Sequence, residues 1–192
     1  FDAAERMEAQ SAGVERQVIG QATDLTGIIR VTAPEPMSET FLIPLVREFA
    51  AVYPDILIEL SLSMRIYDLG TREADVAFRV TNNPPDDVVG VHLATLAMAV
   101  YAPAGSSLRL ADVTQVIAFS GGDPSQADWK ARFVPQARVS LRSDSATTAM
   151  HAIKAGLGVA MLPVSIGEAD PALERMADIP IEKGAGMWLL TH

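Results

Sequence analysis

Hydroxyl side chains stand at two places where the sequence predicts that a helix begins. Ser38 and Thr40 follow two prolines, and a second group, Ser143-Asp144-Ser145, precedes an apolar pattern of helical spacing. The N-terminus of a helix presents unpaired N–H groups and partial positive charge, so both places are suited to holding a polar or anionic ligand. The alternative is simple capping, in which Ser38, and Ser143 or Asp144, only satisfy their own helices.

Charged and apolar residues near these two places bear on the ligand. Glu39 and Asp144 would repel a bound anion, which weakens the case for a simple carboxylate ligand. Arg65, just after a predicted strand, could pair with a ligand carboxylate, although a solvated surface position is the alternative. Four apolar residues are candidates either for the walls of a site or for the core: Met37, Met64, Phe119 and Met161.

Residue groups that catalyse reactions are scarce in this sequence. It has no Gly-x-Ser-x-Gly elbow, no phosphate-binding loop and no cysteine, and the histidines His92, His151 and His192 lack metal-ligand spacing. The pair Gly156-x-Gly158 precedes a strand, which is the wrong order for a dinucleotide fingerprint, so it is interpreted as a helix end with close packing of the helix on a strand. We expect no catalytic activity, no cofactor and no metal site.

Composition favours a globular protein that does not bind DNA by itself. Of the 192 residues, 49% are hydrophobic and 20% charged, which is enough to bury a core, and the net charge of -9 repels phosphate backbones. No apolar run approaches the roughly 18 residues that span a bilayer, and no signal peptide is evident, so we expect a cytoplasmic protein without membrane contact. The chain begins with Phe1 rather than methionine, which suggests that an upstream part is missing.

Predicted strands and helices alternate along the chain after an N-terminal helix. That helix covers residues 1–22 and carries a short heptad-like stripe. A βαβ unit follows, with a strand over 27–32, a helix from Ser38 to Val52 and a strand over 56–62 that is expected to be covered on both faces. The remaining expectations are a short helix capped by Asp68, strands over 74–80, 97–101, 116–119, 138–141, 159–162, 179–181 and 187–190, a turn at 121–124 and a helix over 145–155.

The element order predicts an α/β protein with two Rossmann-like lobes joined by two hinge crossings. The stretch Pro103-Ala104-Gly105 marks one crossing and Pro163 the other. The predicted domains are an N-terminal linker helix (1–24), a first lobe (25–102 and 164–192) and a second lobe (103–163). Two lobes joined in this way leave a cleft between them, which is the expected ligand site.

The order of several short motifs resembles one known family. The motifs are Gly27-Ile28-Ile29-Arg30-Val31, Tyr53-Pro54-Asp55, Ala74-Asp75-Val76-Ala77-Phe78-Arg79, Gly156-Leu157-Gly158 and Leu162-Pro163. From Leu25 to His192 the chain resembles the effector-binding region of LysR-type transcriptional regulators, and the helix before it resembles that family's linker helix. The resemblance implies the fold of type 2 periplasmic binding proteins. Two departures are a shortened stretch between Tyr101 and Val116 and the lack of a final helix after His192.

The resemblance also implies site residues and partners. A small-molecule effector would contact Met37, Ser38, Glu39, Thr40, Met64, Arg65, Phe119, Ser120, Asp144 and Ser145. A homodimer or homotetramer would be formed through Phe41, Leu45, Phe49, Thr148, His151 and Ala152. DNA would be bound only through a winged helix-turn-helix domain preceding Phe1. The alternative function is an extracytoplasmic solute-binding protein of a transport system, which would have little use for the helix over residues 1–22.

Overall fold

A computed structural model describes residues 25–62, 74–85, 88–120 and 128–191, without the side chain of Glu39. The predicted linker helix, the short helix after Asp68 and the turn at 121–124 lie outside these residues. The described helices are α1 (Ile43–Val52), α2 (Asp128–Phe133), α3 (Ala146–Lys154) and α4 (Val164–Gly167), with a π-helical segment at Ser38–Leu42 and a 3₁₀ turn at Leu110–Asp112. None of these helices has the length and apolar character that a bilayer span requires.

Nine strands form a mixed sheet and a smaller parallel pair within the described ranges. They are β1 (Gly27–Ala33), β2 (Ile56–Leu62), β3 (Val76–Thr81), β4 (Val89–Pro103), β5 (Gln115–Phe119), β6 (Arg138–Ser143), β7 (Ala160–Pro163), β8 (Leu173–Arg175) and β9 (Glu182–Thr191). The mixed sheet has the order β2-β1-β3-β9-β4-β7, and β8 pairs with β4; β5 and β6 form the second sheet.

The first lobe consists of β1, β2, β3, β9 and α1. β1 and β2 are parallel, with Gly27 opposite Ile56, as expected for a crossover through a helix. One face of this sheet packs against the π-helical segment, where Met37 and Leu42 are buried with Phe78. β9 returns antiparallel to β3 from Thr191 to Gly186, which confirms that the end of the chain joins the first lobe's sheet.

The second lobe consists of β5, β6 and β7 with α2 and α3. β5 is hydrogen-bonded to Val159, the residue just before β7. The N–H of Ile117 bonds the carbonyl of Val159 at 2.8 Å, and the N–H of Val159 bonds the carbonyl of Gln115 at 3.2 Å. One buried cluster contains Trp129, Val134 and Val159, and a second packs Ala149, Ala152 and Ile153 of α3 against β4 and β7. The two clusters place the core of this lobe on both faces of its strands.

β4 is the element that links the two lobes. Its residues from Val89 to Met98 pair with β9, and from Met98 to Tyr101 they pair with β7. The strand was expected only over 97–101; it is longer because its first half finds an antiparallel partner that lies far away in sequence. The exchange of partners occurs at Met98, five residues before Pro103. The predicted domain bounds stay a prediction. Met176 and Ile179, which fall in the predicted first lobe, pack in the cluster of the second lobe.

Helix α3 begins and ends as its sequence indicates. The Ser145 hydroxyl accepts a hydrogen bond of 3.1 Å from the N–H of Thr148, so Ser145 is the cap rather than Ser143 or Asp144. At the other end Gly156 has a φ of 76°, and its N–H bonds the carbonyl of Ile153 while that of Leu157 bonds Ala152. This pair of bonds is a Schellman motif, and the expected helix stop at Gly156 is confirmed.

Three expectations about local structure are wrong. Ser38 does not cap a helix, because it lies within the π-helical segment and the turn at Pro34 and Glu35 satisfies the first N–H groups through backbone carbonyls. β2 is not covered on both faces: it is the edge strand, and Leu57 is 57% exposed. Residues 179–181 are not a strand, since Pro180 lacks an N–H for a sheet ladder, and β9 begins at Glu182.

Candidate functional site

A cleft of about 1480 Å³ separates the two lobes. The first lobe contributes the residues that follow β1 and β3, and the second lobe contributes the end of β5 and the start of α3. The middle of β4, the end of β7 and α4 form the floor. The lining residues used below are Glu35, Met37, Thr40, Phe41, Thr81, Asn82, Asn83, Ala94, Thr95, Met98, Phe119, Ser120, Asp144, Ser145, Met161 and Met187. The cleft therefore lies where ligands bind in open α/β sheets, beyond the carboxyl ends of strands.

The first wall is shaped by a proline-rich turn after β1. The N–H of Met37 bonds the carbonyl of Pro34 at 3.1 Å, and that of Ser38 bonds the carbonyl of Glu35 at 3.0 Å. Phe41 then stands edge-on to Phe78, with 5.5 Å between ring centroids. These contacts hold Met37, Thr40 and the aromatic ring of Phe41 at the cleft surface.

The second wall is built where β5 and β6 end. The N–H of Ser120 bonds the carbonyl of Ser143 at 2.9 Å, which ties the two strand ends together. The N–H of Ser145 bonds the hydroxyl of Ser143 at 3.1 Å, and Ser145 caps α3. Phe119, Ser120, Asp144 and Ser145 consequently line the cleft as one connected surface. Because Ser145 also caps the helix, its alanine variant would lose stability as well as any ligand contact.

The structure brings most of the predicted site residues to one place. Met37 and Thr40 line the cleft opposite Phe119, Ser120, Asp144 and Ser145. Ser38 is half-buried and is not among the lining residues. Met64, Arg65 and the side chain of Glu39 lie outside the described part. The assignment of all ten residues to an effector stays a prediction, because no ligand is present.

Sequence reasoning missed several lining residues. Thr81 is the last residue of β3, Asn82 and Asn83 follow it, and the general rule about the carboxyl ends of strands would have found all three. Their backbone is ordered, since the Thr81 hydroxyl accepts from the N–H of Asn83 at 3.0 Å. Thr95 gave no local signal, because it became part of the site only through the unexpected length of β4. Glu35 was hidden between two prolines that were interpreted only as breakers.

The described lining of the cleft contains few ionisable side chains. Glu35 and Asp144 are the ionisable side chains among its described lining residues, and neither makes an ion pair with another described residue. The described residues contain no group of three His, Asp or Glu side chains placed to hold a metal ion. The remaining polar groups are hydroxyls and amides, which orient a ligand by hydrogen bonds without transferring protons readily.

A buried tyrosine lies behind the floor of the cleft. Tyr101 of β4 is 1% exposed, and an added Cβ on Gly167 of α4 would lie 2.3 Å from its ring. Burial raises the pKa of the Tyr101 phenol, the charge of Glu168 raises it further, and Arg175 acts in the opposite direction. Gly167 is thus required by the close packing of α4 on the strand that joins the lobes.

The residues expected at a dimer interface are divided between surface and interior. Leu45 is 43% exposed, and Thr148 and His151 are exposed on α3. Phe41 and Ala152 instead pack inward, in the clusters of the first lobe and of α3. Phe49 is half-buried beside Tyr53, with ring centroids 4.9 Å apart. The interface itself stays a prediction.

Solved structures of regulatory domains share this architecture. The chain is similar to the effector domain of the transcriptional regulator AmpR of Pseudomonas aeruginosa, with a TM-score of 0.71 at 19% identity, covering 86% of this chain and 85% of that chain. It is similar to the regulatory domain of CrgA, a LysR-type regulator from Neisseria meningitidis, with a TM-score of 0.70 at 21% identity over 88% and 90% of the two chains. Full-length AphB, a virulence activator of Vibrio cholerae, matches all of this chain with 70% of its own length, at a TM-score of 0.65 and 18% identity.

Sequence comparison leads to the same group of proteins. An HTH-type transcriptional regulator of Xanthomonas campestris pv. campestris (strain 8004) is 37% identical over 76 residues, which are 40% of this chain and 22% of that protein. Residues 22–191 match the family described as the LysR substrate binding domain. The fold is that of type 2 periplasmic binding proteins, as the resemblance implied. This chain belongs to the LysR substrate binding domain family, the regulatory part of LysR-type transcriptional regulators.

Proposed function

We propose that this chain is the effector-sensing part of a transcriptional regulator, in which a small molecule binds between the lobes. The observation that carries the proposal is the cleft of about 1480 Å³ at the carboxyl ends of the strands of both lobes. A ligand that contacts both walls favours the closed arrangement by its differential affinity for that state. β4 and β7 cross between the lobes, so closure would change the angle between them.

The same proposal includes self-association and a separate DNA-binding domain. We propose that α1 and α3 of two copies pair to form a homodimer, which places the angle between lobes under the control of the ligand. DNA would be bound through a domain preceding Phe1, in the cytoplasm. Membership of the LysR family favours this function over that of a transport receptor, which was the alternative.

Ligand binding in the cleft can be tested by thermal unfolding with a panel of aromatic acids, amines, amino acids and other small metabolites. A ligand that binds only the folded state stabilises it by about 2.7 kcal/mol when its concentration is 100 times its dissociation constant. Ala94 lines the cleft and is exposed, so Ala94→Phe should fill part of the cleft and abolish the shift. Ala131→Phe, on the exposed surface of α2, is the matched control and should retain it.

Two results would contradict this function. One is a panel in which no compound changes the unfolding temperature of the unmodified chain. The other is a shift of equal size in the unmodified chain and in Ala94→Phe, which would place the ligand elsewhere on the molecule.

A further inference from the structure

A carboxylate stands on each side of the cleft, and this pair bears on the charge of the ligand. Glu35 belongs to the first wall and Asp144 to the second. We infer that the cleft binds an organic cation, a molecule with an ammonium or amidinium group attached to an apolar body. This inference rests on the proposed function, and it adds the chemical class of the effector.

The position of each carboxylate is set by the backbone around it. Glu35 lies between Pro34 and Pro36, whose rings restrict the turn, and its carbonyl accepts the N–H of Ser38 at 3.0 Å. Asp144 lies between the last residue of β6 and Ser145, the cap of α3. Both side chains are therefore presented from ordered turns at the cleft and not from long flexible loops.

Neither carboxylate is neutralised by a described residue. The ion pairs of the described chain involve other acidic residues, such as Glu59, Asp170 and Glu182. An unpaired carboxylate on each wall attracts a cation more strongly when the lobes approach each other, because the distance to the ligand shortens on both sides. The same arrangement opposes an anion, since two negative charges would approach it at once.

The rest of the cleft surface suits an apolar body attached to the cation. Met98, Met161 and Met187 line the cleft, and their unbranched thioether side chains adapt to the shape of a ligand. Phe41 and Phe119 lie on the two walls. Aromatic faces attract ammonium groups in addition to covering apolar surface. Methionines and phenylalanines are thus consistent with a cationic amphiphile.

The overall charge of the chain acts in the same direction. With 24 acidic and 15 basic residues the net charge is -9, so the field outside the protein draws cations towards the cleft and repels anions. This long-range contribution is screened by salt within about 10 Å at 0.1 M ionic strength. Binding of the proposed ligand should therefore weaken as salt is added.

Three probes that share a phenylethyl body and differ in the charge of their polar group test the inference directly. We would measure binding of 2-phenylethylamine, 3-phenylpropionate and the uncharged 3-phenylpropanamide by isothermal titration calorimetry at low and at high salt. The amine should bind at least about tenfold more tightly than the carboxylate, a difference of about 1.4 kcal/mol. Added salt should reduce the affinity for the amine and leave that for the amide nearly unchanged.

Charge-removing variants assign the preference to the two walls. Asp144→Asn and Glu35→Gln should each lower the affinity for the amine about three- to tenfold and leave the affinity for the amide unchanged. Asp112→Asn removes the same charge from an exposed turn outside the cleft lining, and it should leave the amine affinity almost unaltered.

The outcomes separate this inference from the proposed function. Tighter binding of the carboxylate, above all one that Arg65→Gln abolishes, would overturn the inference and keep the cleft as a binding site. Equal binding of all three probes would also overturn it. If none of the three probes binds, the inference is judged by the charge of the compound that raises the unfolding temperature in the thermal panel. A cationic compound supports the inference, and an anionic compound contradicts it. No binding by any compound would contradict the proposed function itself.

Discussion

At the scale of one residue, Tyr101 is a buried side chain whose hydroxyl group is left without a hydrogen-bond partner. Its ring extends from β4 and packs against Gly167 of α4. Its hydroxyl has no hydrogen-bond partner among the described residues. A buried donor without a partner loses its hydrogen bonds to water and gains none in exchange. No sequence pattern indicates this cost, because a tyrosine in an apolar strand is ordinarily interpreted as packed with its hydroxyl in solvent.

We expect Tyr101→Phe to raise the free energy of unfolding by about 1 kcal/mol, since it removes the unpaired hydroxyl and keeps the ring. Urea unfolding at neutral pH followed by circular dichroism measures the change. Tyr53→Phe is the control, because Tyr53 is 37% exposed and its hydroxyl is not among the buried atoms without a partner. A less stable Tyr101→Phe would mean that the hydroxyl has a partner in solution.

The difference in stability between Tyr101→Phe and the unmodified chain should depend on pH, because the pKa of Tyr101 is raised. The unfolded chain loses the phenol proton near its ordinary pKa of 10.0, whereas the folded chain retains it to higher pH. The free energy of unfolding of the unmodified chain is therefore unaffected by ionisation of this group below pH 10, and it falls as the pH rises towards the pKa of the folded state. The advantage of Tyr101→Phe over the unmodified chain should accordingly grow above pH 10.

At the scale of elements, two glycines at the end of α3 differ in what they are required for. Gly156 adopts a φ of 76° with open space around it, and Gly158 adopts a φ of 135° beside β5. A Cβ on Gly158 would lie 2.5 Å from the carbonyl oxygen of Gln115. The glycine pattern predicted both the helix stop and close packing on a strand, and the structure shows that the packed neighbour of Gly158 is the backbone of β5.

We expect Gly156→Ala to cost about 1 kcal/mol of stability, which is the penalty of a left-handed backbone for alanine. Gly158→Ala should cost about 3 kcal/mol or more, because strain and a backbone clash add. The two variants serve as matched controls for each other in urea unfolding. Equal losses in both would show that β5 moves away without cost.

The prediction of elements succeeded where local patterns decide and failed where pairing decides. α3 was placed within one residue at each end, because its apolar spacing, its cap region and Gly156 all lie within the element. The strand over 179–181 was wrong because Ile179 is buried in the second lobe's cluster from an irregular segment, and Pro180 cannot donate to a sheet ladder. Ser38 was a plausible cap by type, but backbone carbonyls of the preceding turn already satisfied the N–H groups.

At the scale of the whole molecule, α1 presents an apolar surface to solvent. Ile43, Leu45 and Val52 are 53%, 43% and 67% exposed. Apolar residues grouped on one exposed helix are typical of a contact with another protein chain. This surface lies on the helix that the family resemblance assigns to the dimer interface, so it supports the proposed homodimer.

We expect Leu45→Lys to weaken self-association at least about tenfold, because a buried ammonium would replace an apolar contact. Sedimentation equilibrium across a dilution series measures the dissociation constant. Ala131→Lys, which adds the same charge on the exposed face of α2, should leave it unchanged. An unmodified chain that is monomeric at every concentration would contradict the dimer, whereas equal effects of both variants would point to general charge repulsion.

The βαβ unit of the first lobe, the stop of α3 and the family of this protein were determined by the sequence itself. These features depend on apolar periodicity, turn residues and short motifs, all of which act between residues close together in the chain. The length of β4, the exposed face of β2 and the placement of Glu35 and Asp144 on the two walls of one cleft were decided only by the tertiary structure. Such features arise from strand pairing and packing between distant segments, which no local pattern records.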